Sequence, residues 1–127
     1  MQIHKSYILI LGFFFLAFVQ GIAQNKISID SISTYIGQTV TVCSKVFSTH
    51  ITKGEKPVTY LNLGAAYPDQ KLTLVIFQKD RPNFPSSPDE YYNLQEVCAT
   101  GKLKEYKGRA EMIISNQDQI QINSSGN

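Results

Sequence analysis

Two neighbouring segments between residues 57 and 78 alternate polar or aromatic side chains with aliphatic ones. Because successive side chains of a β-strand point to opposite faces, Tyr60 and Asn62 would share one face of the first segment. Thr73 and Phe77 would share the corresponding face of the second segment. Aromatic rings stack on planar groups, while amides and hydroxyls form hydrogen bonds. This face is therefore suited to a planar ligand that forms hydrogen bonds.

Basic residues lie in the segments that flank this face. A cation can contact a phosphate while a neighbouring ring stacks on a base, which is how proteins hold single-stranded nucleic acid. The pattern predicts single-stranded DNA or RNA as the partner, bound with low sequence specificity. Tyr60, Tyr67 and Phe77 could also serve a protein, peptide or glycan partner without the cations, and this alternative stays open. The predicted contacts outside the central strands are Lys45, Lys53, Lys79, Arg81, Lys104, Tyr106, Lys107 and Arg109.

The overall charge of the chain is close to neutral. It contains 12 Lys and Arg against 10 Asp and Glu, a net charge of +2. Dedicated nucleic-acid-binding domains are usually much more basic than this. Binding of nucleic acid would therefore depend on local clustering of the cations.

Residue types that perform catalysis are scarce. His50 is the only histidine outside the first 23 residues, and no cysteine or serine motif accompanies it. Nucleophilic catalysis needs a base beside the nucleophile, and a zinc site needs several ligands close together. The sequence therefore predicts a protein that is not an enzyme and that has neither a metal site nor a cofactor.

The first 23 residues have the pattern of a secretory signal peptide. Lys5 precedes an apolar run over residues 8–19, and the small residues Gly21 and Ala23 follow it. This order predicts cleavage after Ala23 and a secreted or periplasmic protein. The apolar run is shorter than the roughly 20 residues that a transmembrane helix needs, so no stable membrane association is expected.

The rest of the chain is rich in β-branched and aromatic residues separated by turn residues. Residues 24–36 are predicted to form a lead-in segment, residues 37–122 a single β domain, and residues 123–127 a disordered polar tail. Within the domain, strands are predicted at 37–48, 57–64, 71–78, 96–104 and 110–115, with a short extension at 120–122.

One short helix is predicted between the third and fourth strands. Ser87 is a favourable N-cap, Pro88 suits the first helical position, and Glu90 follows three residues after the cap. The helix is expected to run from Pro88 to about Leu94, with Tyr91, Tyr92 or Leu94 turned inward.

Three stretches, taken in order, resemble the oligonucleotide/oligosaccharide-binding (OB) fold, and in particular its tRNA-anticodon/helicase type. They are Gly37–Val46, the strand pair that contains Tyr60–Leu63 and residues 73–76, and Val97–Tyr106. The resemblance implies an all-β fold, a five-stranded Greek-key barrel with one short helix between strands 3 and 4. It also implies that Tyr60 stacks on a base, as the matching aromatic residue does in anticodon-binding relatives. Related modules accompany nuclease domains, so a separate nuclease is a further candidate partner.

Cys43 and Cys98 are the only cysteines, and export would place them in an oxidising compartment. The first and fourth strands of an OB barrel are neighbours, so the resemblance implies a disulfide between these two residues. Two separate, half-buried thiols remain the alternative.

Overall fold

The computed structural model describes Gly12 and residues 25–124. Apart from Gly12, the predicted signal peptide and its cleavage site lie outside the described residues, as do the last three residues of the tail. Within residues 25–124, 3-10 helices occupy Ile29–Tyr35, Gln78–Asn83 and Gln117–Gln119. The strands are β1 (Lys26–Ile27), β2 (Thr39–Ile51), β3 (Thr59–Leu63), β4 (Leu72–Ile76), β5 (Glu96–Tyr106), β6 (Arg109–Ile113) and β7 (Ile120–Ile122), and the α-helix is α1 (Pro88–Tyr91).

Five of these strands close into a barrel. β2 pairs with β3, β3 with β4, β4 with β6 and β6 with β5, and β5 returns to β2. These pairs are antiparallel except β4–β6, which is parallel. This is the strand order of a Greek-key OB barrel, so the predicted all-β fold is confirmed. The short strands β1 and β7 extend the sheet beside β2 and β5.

The barrel interior is filled by aliphatic side chains that alternate along the strands. Leu61 and Leu63 on β3, with Leu72, Leu74 and Ile76 on β4, are fully buried. Burial of each such side chain stabilises the fold by roughly 1.5–3 kcal/mol relative to exposure. The alternate positions on β3 and β4 are thereby directed away from this core.

Strand β2 is long enough to serve two sides of the barrel. Its first half, Thr39–Lys45, pairs with β5, and Val46 and residues 48–51 pair with β3. Just after this change of partner, a β-bulge lies between Val46 and Ser48. A bulge inserts one extra residue and bends the strand. Because of this extra residue, Ser48 and His50 lie on the same face as the polar side chains of β3.

The helix between β4 and β5 is shorter than predicted. It begins at Pro88, as expected, but ends at Tyr91. Leu94 has a φ of 63°, in the left-handed region, which is incompatible with continued right-handed helix. The side chain of Ser87 makes no capping hydrogen bond, and Tyr92 is the side chain that turns into the core. None of the helices within residues 25–124 is long and apolar enough to cross a membrane.

Cys43 and Cys98 lie opposite each other on β2 and β5. Their sulfur atoms form a disulfide, with the two Cα atoms 4.0 Å apart. The disulfide that the resemblance implied is confirmed, and the alternative of two separate thiols is wrong. The bond joins positions 55 residues apart in sequence and ties the first strand of the barrel to the fourth.

Residues 25–36 pack on the barrel. β1 forms a parallel pair with β2, and the 3-10 helix that follows buries Ile32 in the core. Asp30 in this helix forms an ion pair with Lys71, which precedes β4. The segment is thus attached to the barrel by backbone hydrogen bonds, by an apolar contact and by opposite charges.

Candidate nucleic-acid interface

A row of polar side chains crosses the outer face of the barrel from strand to strand. Strand pairing places Ser48 on β2 beside Asn62 on β3, and Asn62 beside Thr73 on β4. The row continues to Glu111 on β6 and ends at Lys104 on β5. Neighbouring strands are about 4.8 Å apart, so these side chains form a continuous polar strip. These five residues are termed the polar row.

Hydrogen bonds fix the β2–β4 part of the polar row. Asn62 Nδ2 donates to Ser48 Oγ at 3.1 Å, and Thr73 Oγ1 donates to Asn62 Oδ1 at 3.1 Å. Asn62 and Thr73 are only 3% and 7% exposed. Because an unpaired polar group is costly in such a setting, these bonds hold both side chains in one arrangement. This part of the row is a preorganised polar surface.

An aromatic pair lies beside the polar row, two residues further along β2 and β3. His50 is in register with Tyr60, and their rings are stacked with centroids 6.4 Å apart. The next position across the sheet is Val75 on β4, which is buried. Tyr60 is therefore the aromatic ring that β3 presents at this side of the row.

The turn between β5 and β6 brings a second ring and several cations to the same face. Lys107 and Gly108 have φ values of 51° and 75°, and this tight turn places Tyr106 opposite Arg109. The Nζ atoms of Lys107 and Lys104 lie 5.3 and 5.8 Å from the centroid of the Tyr106 ring. Such cation–π contacts contribute about 0.5–1 kcal/mol at exposed sites. They keep the ring and the positive charges close together.

The loop between β3 and β4, residues 64–71, supplies a third ring. Tyr67 donates its backbone N–H to Ser48 Oγ at 3.1 Å. Arg109 Nη1 donates to the carbonyl of Pro68 at 3.0 Å, and the guanidinium carbon lies 5.8 Å from the centroid of the Tyr67 ring. These contacts fasten the loop to β2 and β6. They leave the Tyr67 side chain at the rim, where the residue is 70% exposed.

Together these elements form a groove of about 570 Å³, termed the outer groove, which has the size of a small-ligand site. Three tyrosines and a histidine contribute aromatic surface, and most of the polar row contributes hydrogen-bonding groups. The lining residues are Ser48, Thr49, His50, Thr52, Tyr60, Asn62, Tyr67, Gln70, Thr73, Tyr106, Lys107, Arg109 and Glu111.

Glu111 carries the one carboxylate among these lining residues. Its side chain is only 15% exposed, and Lys104 Nζ lies 3.8 Å from its Oε1 atom. Within residues 25–124, no group donates a hydrogen bond to this carboxylate. Desolvation by burial raises the pKa of Glu111, and the attraction of Lys104 offsets only part of this increase. The described residues contain no cluster of three His, Cys, Asp or Glu that could hold a metal ion.

The structure brings one half of the predicted contact residues together and leaves the other half elsewhere. Lys104 is outside the lining, but it ends the polar row and contacts the Tyr106 ring. The predicted residues that line the outer groove are Tyr60, Asn62, Thr73, Tyr106, Lys107 and Arg109. Those that do not line it are Lys45, Lys53, Phe77, Lys79, Arg81 and Lys104.

Some predicted contact residues do not line the groove because the strands end, or change their pairing partner, near these residues. Lys45 lies on the half of β2 that pairs with β5, with its Nζ 5.5 Å from the Phe47 ring centroid. Lys53 lies in the exposed loop after β2. Phe77 follows the end of β4 and is half-buried, and Lys79 lies in the 3-10 helix after it. The alternation that relates Phe77 to Thr73 in the sequence ends with the strand.

Arg81 makes contacts within the protein rather than at the groove. Its guanidinium donates to Thr59 Oγ1, a fully buried hydroxyl at the start of β3, and lies 3.5 Å from Asp89 Oδ1. Through these two contacts Arg81 links the 3-10 helix after β4 to both β3 and α1.

Replacing Arg81 with Ala is expected to lower the free energy of unfolding by about 1–3 kcal/mol, because the buried Thr59 hydroxyl loses its donor. Urea unfolding of Arg81→Ala beside Lys79→Ala, which removes an exposed cation from the same 3-10 helix, measures this effect. Equal stability of the two variants would show that the Arg81 contacts contribute nothing to the fold.

Several groove residues were not identified from the sequence. Ser48 and His50 face the groove because of the bulge in β2, and no turn residue marks that bulge. Tyr67 was predicted only as a contact for a protein or glycan partner, because the fastening of its loop to β2 and β6 is a tertiary feature. Glu111 is the exception, since alternation along the predicted fifth strand separates it from the buried Met112. That parity could have placed Glu111 on the outer face.

The strand order of the barrel defines a fold class, the OB fold. OB folds bind their ligands on the face of the second and third barrel strands, between the loop after the first strand and the loop between the last two. Here those strands are β3 and β4, and the outer groove includes Thr52 after β2 and Lys107 between β5 and β6. The groove therefore occupies the ligand-binding position of the fold.

Comparison with known proteins agrees with this class. The chain matches the crystal structure of a Leishmania major Friedlin protein assigned as an aspartyl-tRNA synthetase, with a TM-score of 0.50 and 13% sequence identity. The match covers 79% of this chain but only 21% of that protein. At this identity the likeness shows a shared fold alone. No protein-family model and no curated protein sequence matches the chain.

Proposed function

We propose that this protein binds single-stranded nucleic acid in the outer groove, without catalysing a reaction. The observation that carries the proposal is the location of Tyr60, Tyr106, Lys107 and Arg109 around one groove at the ligand-binding position of an OB barrel. Each ring is a surface on which a base can stack, and each cation can contact a phosphate.

The rings and cations are spaced as a short strand of nucleic acid requires. Tyr60 lies on β3, whereas Tyr106 lies on β5 beyond β4 and β6. At about 4.8 Å per strand, this separation exceeds the thickness of a single base, so different bases would occupy the two rings. Lys107 and Arg109 lie at the Tyr106 side, where they would contact the phosphates between stacked bases.

The titratable groups of the groove are not arranged as a catalytic pair. His50 on β2 and Glu111 on β6 are separated by β3 and β4 and lie in different rows. Three strand spacings of about 4.8 Å place their backbones roughly 14 Å apart. An acid and a base that act on one phosphate must both come within hydrogen-bond reach of it. This separation supports a binding function.

Export of the protein belongs to the same proposal. The Cys43–Cys98 disulfide is typical of an oxidising compartment and supports a secreted or periplasmic location. A separate nuclease, acting on strands that this protein holds, remains a candidate partner there.

The proposal is tested by fluorescence anisotropy of a labelled oligothymidine at several salt concentrations. Two cations of the groove lining, Lys107 and Arg109, lie at the Tyr106 side. Log affinity should therefore fall against log salt with a slope of about −1.4, since each phosphate contact on a single strand contributes about −0.7. Absence of binding at low salt would refute the proposal and favour a protein, peptide or glycan partner.

Substituting Lys107 with Gln should reduce the magnitude of the salt slope by about 0.7, because one phosphate contact is lost. The matched control is Lys102→Gln, which removes an exposed cation of the same strand pair that does not line the groove. The slope measured by anisotropy should stay at the wild-type value in the control. Equal salt slopes for the two variants would show that the phosphates do not contact Lys107.

A further inference from the structure

We propose that Glu111 makes the outer groove selective for guanine, so that the protein prefers single strands that contain this base. This inference rests on the proposed function and narrows its ligand. It starts from an anomaly of the groove, namely a recessed carboxylate within a surface suited to a polyanion.

The charge of Glu111 decides which part of a nucleic acid can approach it. Two like charges 4 Å apart repel each other by about 4 kcal/mol at an effective dielectric constant of about 20. Lys104 compensates this charge only in part, since its Nζ lies 3.8 Å from Oε1 and is itself partly exposed. A phosphate would therefore settle at Lys107 and Arg109, and Glu111 would face a base or a sugar.

The carboxylate also has unused hydrogen-bonding capacity. An ionised carboxylate only accepts hydrogen bonds, through two oxygens. No group within residues 25–124 donates a hydrogen bond to the oxygens of Glu111, and this side chain lines the outer groove, where a ligand can reach it. A ligand that satisfies this site must present N–H or O–H donors to both oxygens.

Guanine is the base that meets this requirement best. Its pairing edge carries two adjacent donors, the N1–H and the 2-amino group, which match the two oxygens of one carboxylate. Adenine and cytosine each place an acceptor beside their amino group, and thymine and uracil place acceptors on both sides of their single N–H. Unstacked bases of single strands are read on these edges by side chains.

The surroundings of Glu111 would hold a base in that orientation. Thr73 is its neighbour on β4 in the polar row, and Thr73 is fixed by its hydrogen bond to Asn62. Tyr106 lies on β5, two residues beyond the Lys104 that is opposite Glu111. A base that stacks on the Tyr106 ring would thus have a carboxylate and a preorganised polar surface at its edge.

The test uses nine-nucleotide oligothymidines that carry one central guanine, inosine or adenine in place of thymine. Anisotropy with the wild-type protein should show about tenfold tighter binding for guanine than for thymine, the scale of one bidentate contact. Inosine keeps the N1–H but lacks the 2-amino group, so its advantage should be smaller. The strand with adenine should bind no more tightly than the all-thymine strand.

The decisive variant is Glu111→Gln. It should bind the all-thymine strand more tightly than the wild type does, because a negative charge leaves the groove. It should also reduce the guanine advantage to within about twofold, because an amide offers one acceptor instead of two. A loss of folding would weaken the binding of the all-thymine strand and of the guanine strand together. Tighter binding of the all-thymine strand, combined with a smaller guanine advantage, therefore distinguishes loss of recognition from loss of folding.

Two results would overturn this inference and leave the proposed function intact. One is binding of all strands with no guanine advantage in the wild type, and the other is a guanine advantage that survives in Glu111→Gln. A ribose strand could instead bind better than its deoxyribose counterpart, again without base preference. This result would indicate that Glu111 contacts the 2′-hydroxyl of the sugar, and it would also overturn the inference. Failure of every strand to bind would instead refute the proposed function on which the inference rests.

Discussion

Removal of the disulfide is expected to lower the free energy of unfolding by about 4 kcal/mol, the chain-entropy value for a loop of this length. Cys43 and Cys98 close a loop of 55 residues that contains β3, β4 and α1. Stabilities of small domains are only about 5–15 kcal/mol, so this loss would leave the barrel close to unfolding. Urea unfolding of the Cys43→Ala/Cys98→Ala double variant measures the change.

The control for this prediction is the wild-type protein under reducing conditions. Reduction breaks the cross-link and keeps both side chains, so a similar loss in the reduced protein would identify the constraint, rather than side-chain packing, as the cause. If the free energy of unfolding of the double variant lies within about 1 kcal/mol of that of the oxidised protein, the disulfide contributes little to stability and this prediction is wrong.

Loss of the stacking rings should have the largest effect on binding. Tyr60→Ala is expected to weaken oligothymidine binding by roughly 1–3 kcal/mol, about 5- to 150-fold, because a base loses its aromatic surface. Tyr106→Ala should have an effect of the same order, and the double variant should bind more weakly than either, since the rings lie on different strands. Anisotropy at one low salt concentration provides the comparison.

Two variants show whether the loss is one of stacking. Tyr60→Phe keeps the ring and removes only the hydroxyl, so it should retain most of the wild-type affinity. Tyr91→Ala removes an exposed tyrosine that does not line the outer groove, and it should leave the affinity unchanged. An equal effect of Tyr91→Ala and Tyr60→Ala would mean that no particular ring holds the ligand.

Local sequence patterns predicted the strands and part of the groove, whereas the closure of the strands into a barrel was predicted from the resemblance to the OB fold. Alternation over residues 57–78 identified both the buried leucines and the outward parity of Tyr60, Asn62 and Thr73. The Lys107–Gly108 turn was visible as a basic turn with glycine. These features depend on residues close in sequence, where the two-residue period of a strand is a direct signal.

The rest of the groove depends on contacts between distant segments. His50 reaches the outer face through a bulge, and Tyr67 is held there by Ser48 and Arg109. Arg81 resembled a groove cation by its position after β4, but its partner Thr59 lies inside the barrel. A charged residue in a loop gives no local sign of whether it contacts a ligand or stabilises the core.

The outer groove as the binding surface is tested most directly by nuclear magnetic resonance of the labelled protein during titration with oligothymidine. The account predicts that backbone amide shifts change at Ser48, Tyr60, Asn62, Tyr106 and Glu111. Amides around the disulfide and along α1 should remain at their original positions. Shifts concentrated at Cys43, Cys98 or residues 89–91 of α1, with the groove unchanged, would contradict the account and place the ligand on another face of the barrel.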